Sequence, residues 1–540
     1  MNDFSPLQGW RWAKFAQSKK IKTVNNLFRT LFLLPLLWLA ACSPSVPEGA
    51  VEAADAVQIS PDYTSITIPY NIAPLNFVIE TDGSEYVTHA YSSKGNGLTV
   101  SGRDVKFPIG EWHELLEACK NDTLNVDIYV KNDGKWVKYP TIKNYIAADP
   151  IDPYISYRLI EPSYVGYEVM TINQRNLTDF EEDVIYNNYA ISDGENGQCV
   201  NCHNYQNYNR DGNMQMHLRQ LKGGTLIVVD RDIKKVNLKT DYTISAGVYP
   251  SWHPTEKLIA YSTNLTGQNF HTRNHEKVEV QDSESDLILY DIDKNEVSTI
   301  TNVKHEFESF PAWSPDGKWL YFVSSHFVTN TEYENWELRT RYDSIRYNIF
   351  RKPFDLKTRT FGATDTVFMA SEYGKSATFP RVSPDGKWLL FALGDYGQFH
   401  VWHKSSDLYV MELATRKVYP LREANSPDVD SFHSWSSNGR WIMFTSRRDD
   451  GSYTRLYFTY FDEAGHASKA FILPQEDSKY YYDDLFKSYN VPEFMVKKVE
   501  LDHHDLYDAI NGNEAIQAVQ HERDSISVVK DVSEVDNFYE

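Results

Sequence analysis

Cysteine, basic charge and long apolar runs are all scarce in this sequence. The 540 residues include four cysteines, and 54 Lys and Arg stand against 75 Asp and Glu, which gives a net charge of -21. Nucleic-acid binding and adhesion to anionic lipid through a basic surface both need clustered cations, so the charge argues against both. The sequence also lacks a Gly-rich phosphate loop, a Gly-x-Ser-x-Gly elbow and a paired metal motif. These absences leave an acidic chain without the motifs of the common enzyme classes.

Aromatic residues are abundant by contrast. They make up 14% of the chain, with 36 Tyr and 13 Trp, and Gly and Pro are scattered rather than clustered. This composition is typical of a β-rich globular protein with many turns. The length is sufficient for two or three domains, each with its own core.

The N-terminal segment has the pattern of an export signal. Basic residues precede an apolar run from Leu31 to Ala41, which is too short to span a bilayer and is typical of a signal-peptide core. The run ends in Leu39-Ala40-Ala41-Cys42, which matches the lipobox of bacterial lipoproteins. We therefore expect residues 1–41 to be removed and Cys42 to be lipidated. A chance cysteine after a cleavable signal, or after a membrane anchor, is the alternative.

Residues 42–57 are rich in Ser, Pro and Ala and are expected to form a tether between the lipid and the folded part. Ser43 follows the predicted lipidated cysteine, and by resemblance to other lipoproteins this favours the outer membrane. The tether lacks a dense acidic run, which favours the periplasmic face. The predicted location is thus the cell envelope, with contact to the membrane through the anchor.

Residues 58–148 alternate apolar and polar residues in short runs separated by turn signals such as Lys131-Asn132-Asp133-Gly134. Alternation with a period of two at this spacing predicts a β-sandwich of immunoglobulin-like type. A short helix is expected over Trp112 to Cys119, crossing one end of the sandwich.

A repeat begins near residue 247. Its clearest copies are Phe310 to Phe322 and Phe379 to Phe391, each with Ser-Pro-Asp-Gly-Lys-Trp in the middle, and related copies begin at Tyr249 and Ser434. Asp-Gly or Asn-Gly between two apolar runs is a strong hairpin signal, and another apolar strand follows each copy. Four strands per repeat indicate propeller blades, which must close a ring because one blade cannot bury its own faces.

These residues resemble the TolB-type propeller repeat over about residues 247–475. The resemblance implies an all-β fold with six blades, so two weaker blades are placed upstream, at 167–186 and at 224–238. The predicted architecture is a sandwich at 58–148, a six-bladed TolB-like propeller at 149–478 and a partly helical tail at 479–540.

Cys199-Val200-Asn201-Cys202-His203 is the pattern for covalent attachment of one c-type haem. Two thiols three positions apart can each form a thioether with a haem vinyl group, and the adjacent imidazole of His203 can ligate the iron. Attachment after export agrees with the N-terminal signal. Two alternatives are a Cys199–Cys202 disulfide that leaves His203 incidental, and a zinc site, which the absence of a second cysteine pair disfavours.

A second axial ligand is expected within Asn213 to Arg219, and the candidates are His217, then Met214, then Met216. A helical turn would place Met214 and His217 on one side, whereas a strand would pair Met214 with Met216. The methionines can alternatively pack without ligating. Arg219 could pair with a haem propionate, and Tyr205 and Tyr208 could form part of the wall of the haem pocket.

The haem segment, 195–222, occupies the place of the inner half of an early blade. The stretch from Tyr157 to His203 also resembles a group of haem-motif, TolB-like lipoproteins of anaerobic Gram-negative bacteria, and this resemblance implies an architecture more than a role. Three functions follow as hypotheses: electron transfer to an envelope protein, a non-redox binding scaffold, and a haem enzyme such as a peroxidase. The third needs an open iron position, which the nearby candidate ligands disfavour.

Overall fold

The computed structural model describes residues 44–161, 169–191, 198–220, 222–271, 276, 278–512 and 514–521. The chain divides into Met1–Pro44 and Ser45–Glu540, and the description below concerns the second unit. The predicted signal peptide, Cys42, the last nineteen residues of the predicted tail (522–540) and residues 195–197 and 221 of the predicted haem segment lie outside the described residues. No helix within the described ranges is long and apolar enough to cross a membrane.

Two β-sheets and one helix form the N-terminal part. In chain order its elements are β1 (Val51–Glu52), β2 (Ile59–Ser60), β3 (Thr67–Pro69), β4 (Phe77–Ile79), β5 (Glu85–Tyr91), β6 (Leu98–Ser101), β7 (Asp104–Val105), α1 (Ile109–Ala118), β8 (Asp122–Asn132), β9 (Lys135–Lys138) and β10 (Ile142–Ala147). Strands β2, β4 and β7 make a three-stranded sheet, and the other seven make a larger one. Along β8 the apolar residues Leu124, Val126, Ile128 and Val130 are buried, and Asp127 and Tyr129 between them are buried as well.

The regular elements in the rest of the described chain are also mostly strands. Its elements up to residue 326 are β11 (Tyr154–Ile160), β12 (Thr171–Asn176), β13 (Glu182–Asn187), β14 (Gln198–Tyr205), β15 (Met214–Gln220), β16 (Gly224–Val229), β17 (Asp232–Asn237), β18 (Val248–Trp252), β19 (Leu258–Phe270), β20 (Val278–Asp291), β21 (Glu296–Thr301), β22 (Glu306–Trp313) and β23 (Trp319–His326). After these come α2 (Glu334–Arg341), β24 (Asn348–Asp355), β25 (Thr360–Phe361), β26 (Asp365–Phe368), β27 (Ser376–Val382), β28 (Trp388–Gly394), β29 (Asp407–Glu412), β30 (Lys417–Pro420), β31 (Asp430–Trp435), β32 (Trp441–Ser446), β33 (Arg455–Tyr460), β34 (Phe471–Ile472), α3 (Tyr480–Asp483), β35 (Ser488–Met495), α4 (His503–Gly512), β36 (Ile516–Gln517) and β37 (Val519–Gln520). The predicted all-β class is confirmed.

These later strands form antiparallel groups. The groups are β35-β11-β12-β13, β14-β15-β16-β17, β18-β19-β20-β21, β22-β23-β24 with β25 and β26, β27-β28-β29-β30 and β31-β32-β33-β34, with the third and fourth joined at Ser285 and Phe307. The first strand named in each group is its inner strand. Each inner strand contacts the inner strand of the next group, and β31 contacts β35, which contacts β14. The inner strands therefore form a closed cycle, as in propeller-like folds.

The Ser-Pro-Asp-Gly-Lys-Trp turns are built from local hydrogen bonds. In the first, the hydroxyl of Ser314 donates to Asp316 at 2.6 Å and accepts from the amide of Trp319 at 3.0 Å. Asp316 also accepts from the amide of Lys318 at 3.1 Å. The aspartate is thus a turn former, as the sequence predicted.

Every inner strand carries the same irregularity. Its register with the neighbouring strand shifts across two residues, and the first of the two has a positive φ. These bulge pairs are Cys202-His203, Tyr249-Pro250, Phe310-Pro311, Phe379-Pro380, Phe432-His433 and Val491-Pro492. A positive φ is strained for a bulky residue, and a bulge bends its strand and redirects its side chains. The repetition indicates one structural role for all of these pairs.

The C-terminal region departs most from the sequence-based boundaries. The sequence placed the end of the propeller at residue 478, yet β35 lies beyond it and is the inner strand of the first group, paired with β11. The short helices α3 and α4 supply the expected helical content. Chain segments more than 300 residues apart therefore complete one sheet.

Candidate functional site

The predicted haem-attachment residues lie on β14 and continue across its bulge. Cys199 pairs with Arg219, and Asn201 pairs with His217, after which the register is lost until Asn204 meets Gln215. The two skipped residues are Cys202 and His203, and Cys202 has a φ of 57°. The motif thus sits on an inner strand with a bulge in its middle, and it forms the inner hairpin of the second group with β15.

Cys202 takes the place that an aromatic residue occupies in most other groups. The first residues of the bulge pairs all line one central cavity of about 1050 Å³, where Cys202 stands in a ring with Tyr249, Phe310, Phe379, Phe432 and Val491. Small-molecule sites in proteins have volumes of about 300–1000 Å³, so this cavity is large enough for a cofactor.

The two thiols of the motif differ in their surroundings. Cys202 is buried and lines the central cavity, whereas Cys199 is half-buried and is not part of the cavity wall. Burial raises the pKa of both thiols, and the nearby guanidiniums of Arg219 and Arg158 oppose this rise. Cys199 and Cys202 form no disulfide in the structure. Both sulfurs are thus present as thiols near two cations.

His203 is a buried, neutral imidazole. Only 1% of the residue is exposed, and neither ring nitrogen makes a hydrogen bond. Burial lowers the pKa of His203 to about 3, and the positive charge of Arg158 adds to this, while the backbone of Val491 acts weakly in the opposite direction. A neutral imidazole is the form that ligates iron.

His433 shows how a histidine at this bulge position is normally satisfied. Its Nε2 donates to the carbonyl oxygen of Phe379, on the preceding inner strand, at 2.7 Å. The equivalent acceptor for His203 is the carbonyl oxygen of Val491; the backbone of Val491 is near enough to act on the pKa of His203, but neither ring nitrogen reaches hydrogen-bond geometry. A buried polar group without a partner costs about 1–3 kcal/mol, which a ligand on His203 would relieve.

The candidates for the second axial ligand separate onto the two faces of β15. His217 lines the central cavity, and its Nδ1 lies 3.4 Å from the hydroxyl of Thr225. Burial lowers the pKa of His217 to about 3, with a contribution from Arg219. Met214 and Met216 lie in the hydrophobic cluster that contains Val200 and Leu226. Alternation along the strand thus places His217, and neither methionine, in the cavity wall.

Two cations and two tyrosines complete this side of the cavity. Arg158 and Arg219 both line it and act on both thiols. The hydroxyl of Tyr205 donates to Ser156 at 2.9 Å, and its ring centre lies 5.9 Å from that of His203. Tyr208 also lines the cavity. This side thus offers cations suited to propionates and aromatic faces suited to a macrocycle.

The residues present fit one haem attached to β14. Within the described ranges, no three His, Cys, Asp or Glu side chains come together as a site for a bare metal ion. Haem iron arrives with its ring nitrogens and needs only one or two protein ligands, which His203 and His217 can supply. The donor set therefore matches a haem better than it matches zinc.

Glu493 is a site residue that the sequence analysis missed. Its carboxylate accepts hydrogen bonds from the side-chain amide of Asn204 and from the backbone amide of Tyr205, the latter at 3.1 Å. Burial raises the pKa of Glu493 to about 7, while the bond from Asn204 and the charge of Arg381 oppose the rise. The repeat itself contained the signal, because Val491-Pro492 continues the series Tyr249-Pro250 and Phe310-Pro311.

No protein-family profile matches the chain, and no curated protein matches it. Among solved structures, prolyl oligopeptidase B from Galerina marginata is similar at 9% identity and a TM-score of 0.34, over 57% of this chain and 41% of that one. This chain thus spans less than half of that enzyme's length. A DUF4784 family protein from Bacteroides caccae is similar at 7% identity and a TM-score of 0.26, over 67% of this chain and 95% of that one. These are likenesses of β-rich, propeller-like structure alone.

Proposed function

We propose that the protein is an envelope lipoprotein cytochrome that carries one haem c on Cys199 and Cys202. The observation that carries this proposal is the buried imidazole of His203, beside Cys202, which makes no hydrogen bond although His433 makes one at the equivalent position. We further infer that the closed cycle of inner strands is a six-bladed propeller that serves as a docking platform for an envelope protein.

Each side chain has a defined role in this function. When bound, the haem supplies one-electron redox chemistry. The two thiols would hold it, His203 would provide a nitrogen ligand to the iron, and Arg158 and Arg219 would offset the charge of the propionates. His217 is the favoured second ligand because it lines the cavity, whereas Met214 or Met216 would first have to leave a hydrophobic cluster.

The proposed location follows from the N-terminal pattern. Lipid on Cys42 would hold the protein at the outer membrane, with the folded part facing the periplasm. Haem c is attached after export, so the two proposals are mutually consistent. The partner would be a redox or scaffold protein of the envelope, and no nucleic acid is expected.

Mass spectrometry and visible spectra of the full-length chain, made in a host competent for haem attachment, test this function. We expect peptide 199–203 to carry one haem, and Cys199→Ala or Cys202→Ala to lose two-point attachment. The matched controls are Cys119→Ala, which changes a cysteine outside the motif, and His433→Ala, which changes the equivalent histidine. A peptide at its bare mass, with or without an internal disulfide, would refute the cytochrome.

Spectra of further variants distinguish the axial ligands. We expect the wild type to be six-coordinate and low-spin and His217→Ala to become high-spin, with Met214→Ala and Met216→Ala unchanged. A low-spin His217→Ala variant would contradict the assignment. A wild type that is high-spin and binds peroxide would favour the haem enzyme instead.

A non-redox scaffold is the second candidate function. It is favoured by the equivalence of Cys202-His203 with Tyr249-Pro250 and the other bulge pairs, since all of them serve to shape the central cavity. In that case the chain would carry no haem from a competent host, and Cys202→Val would retain stability and partner binding. Loss of partner binding on reduction or oxidation of a bound haem would exclude the scaffold.

A further inference from the structure

The wall of the central cavity has the opposite charge to the protein as a whole. The chain carries a net charge of -21. Its cavity, however, has a single acidic side chain, Glu493, in the described wall, which also contains the cations Arg158, Arg210, Arg219, Lys239, Arg339 and Arg381. A concave surface lined by one sign of charge concentrates ligands of the other sign. The cavity is therefore suited to an anion.

Arg381 is the cation best placed to hold that anion. It follows the bulge pair Phe379-Pro380 on β27 and lines the cavity as a half-buried residue, and burial lowers the pKa of Arg381. Its Nη1 donates to the carbonyl oxygen of Pro380 at 3.3 Å. No carboxylate of the described chain lies within ion-pair distance of its guanidinium. A half-buried guanidinium without an ion pair can still donate into the cavity, and its donors match a carboxylate in a planar, two-point contact.

The acidic group on the described cavity wall is already engaged. Glu493 accepts from Asn204 and from the amide of Tyr205, both on β14, and its own strand β35 is separated from β27 by β31. Its charge acts on Arg381 but does not form an ion pair with it. Both groups line the same cavity.

An arc of aromatic rings lies next to Arg381. The ring centres of Tyr249 and Phe310 are 4.4 Å apart, those of Phe310 and Phe379 are also 4.4 Å apart, and those of Phe379 and Phe432 are 4.9 Å apart. All four residues line the cavity. An apolar or aromatic body could pack on this arc while its charged end meets the guanidinium two residues further along β27.

We propose that the central cavity binds a small carboxylate with an aromatic or apolar body, its carboxylate on Arg381 and its body on the aromatic arc. The site goes beyond the haem function, because β27 lies across the ring of inner strands from β14, which carries the haem motif. Haem propionates are carboxylates too, so the test must separate a bound haem from a free ligand.

Calorimetry on the full-length chain with 3-phenylpropionate as the probe tests the site. The measurement uses the wild type and the Cys199→Ala/Cys202→Ala variant, which cannot hold haem covalently. We expect binding in the double variant, weakened at least about tenfold by adding Arg381→Gln. Arg422→Gln, an exposed arginine outside the cavity wall, is the matched control and should leave binding unchanged. 3-Phenylpropionamide, which lacks the charge, should bind at least about tenfold more weakly.

Several results would overturn the proposal. They are equal affinity in the Arg381→Gln variant, equal affinity for the amide, inorganic phosphate binding as tightly as the probe, or no binding at about 10 mM probe. Thermal unfolding of each variant without ligand checks that the fold is retained. Binding in the double variant but not in a haem-loaded wild type would mean that haem occupies the same space. Absence of haem from the wild type would refute the cytochrome and leave this site intact.

Discussion

Replacing Glu493 by Gln tests the hydrogen bonds that Glu493, on the C-terminal strand β35, accepts from Asn204 and Tyr205 on β14. The pKa of this carboxyl rises from 4.5 to about 7 because the folded chain buries it. Each pKa unit corresponds to about 1.4 kcal/mol, so the folded state favours the protonated form by about 3 kcal/mol. That stabilisation is fully present below pH 4.5 and is lost as the pH rises through 7. The wild type should therefore lose about 3 kcal/mol of stability over this range relative to Glu493→Gln.

Urea unfolding of the full-length chain without ligand, followed by tryptophan fluorescence from pH 4.5 to 8, measures this difference. Gln has no titrating group, so any change in hydrogen bonding in the variant adds a constant offset and leaves the pH-dependent part intact. Glu423→Gln, which alters an exposed carboxylate, is the control and should run parallel to the wild type. If the Glu493→Gln and wild-type curves also run parallel, Glu493 is ionised throughout and the reasoning from burial fails.

Two further predictions concern the framework of the site. Gly317→Ala should destabilise the protein by more than about 1 kcal/mol, because Gly317 has a φ of 68° and an added Cβ would come within 2.3 Å of the His253 ring. Gly374 has the same φ but open space around it, so the control Gly374→Ala should cost about 1 kcal/mol. Equal urea midpoints for the two variants would contradict this. Asp152→Ala should lower the free energy of unfolding by about 1–3 kcal/mol, because Asp152 accepts hydrogen bonds from both the amide and the hydroxyl of Ser437 at 2.6 Å. Adding Ser437→Ala to this variant should cause little further loss of stability, because the shared contact is already gone.

The repeat made much of the fold predictable. Its hairpins could be located because Asp-Gly turns and apolar alternation are local signals, and Trp319 and Trp388 end up in the expected strands. The strand β35 was missed, because its partner β11 lies more than 300 residues away and nothing local requires the pairing. The series of bulge pairs would have revealed it, since Val491-Pro492 repeats Phe310-Pro311.

The candidate site was predictable in its residues but not in its arrangement. The spacing of Cys199, Cys202 and His203 predicted haem attachment, which stays a prediction. The choice between His217 and the methionines depended on whether β15 was a helix turn or a strand. The strand places Met214 in the core and His217 in the cavity wall.

The sequence by itself determined the all-β class, the hairpin turns and the chemical identity of the groups on β14, because these depend on neighbours a few residues apart. Only the tertiary structure decided that Cys202 joins a ring of mostly aromatic residues and that His203 is buried without the hydrogen bond made by His433. It also decided that Arg381 faces a cavity whose described wall holds one carboxylate, which is already engaged. Those properties arise when inner strands from distant parts of the chain meet around one cavity, and burial then sets the charge state and the hydrogen bonding of each group.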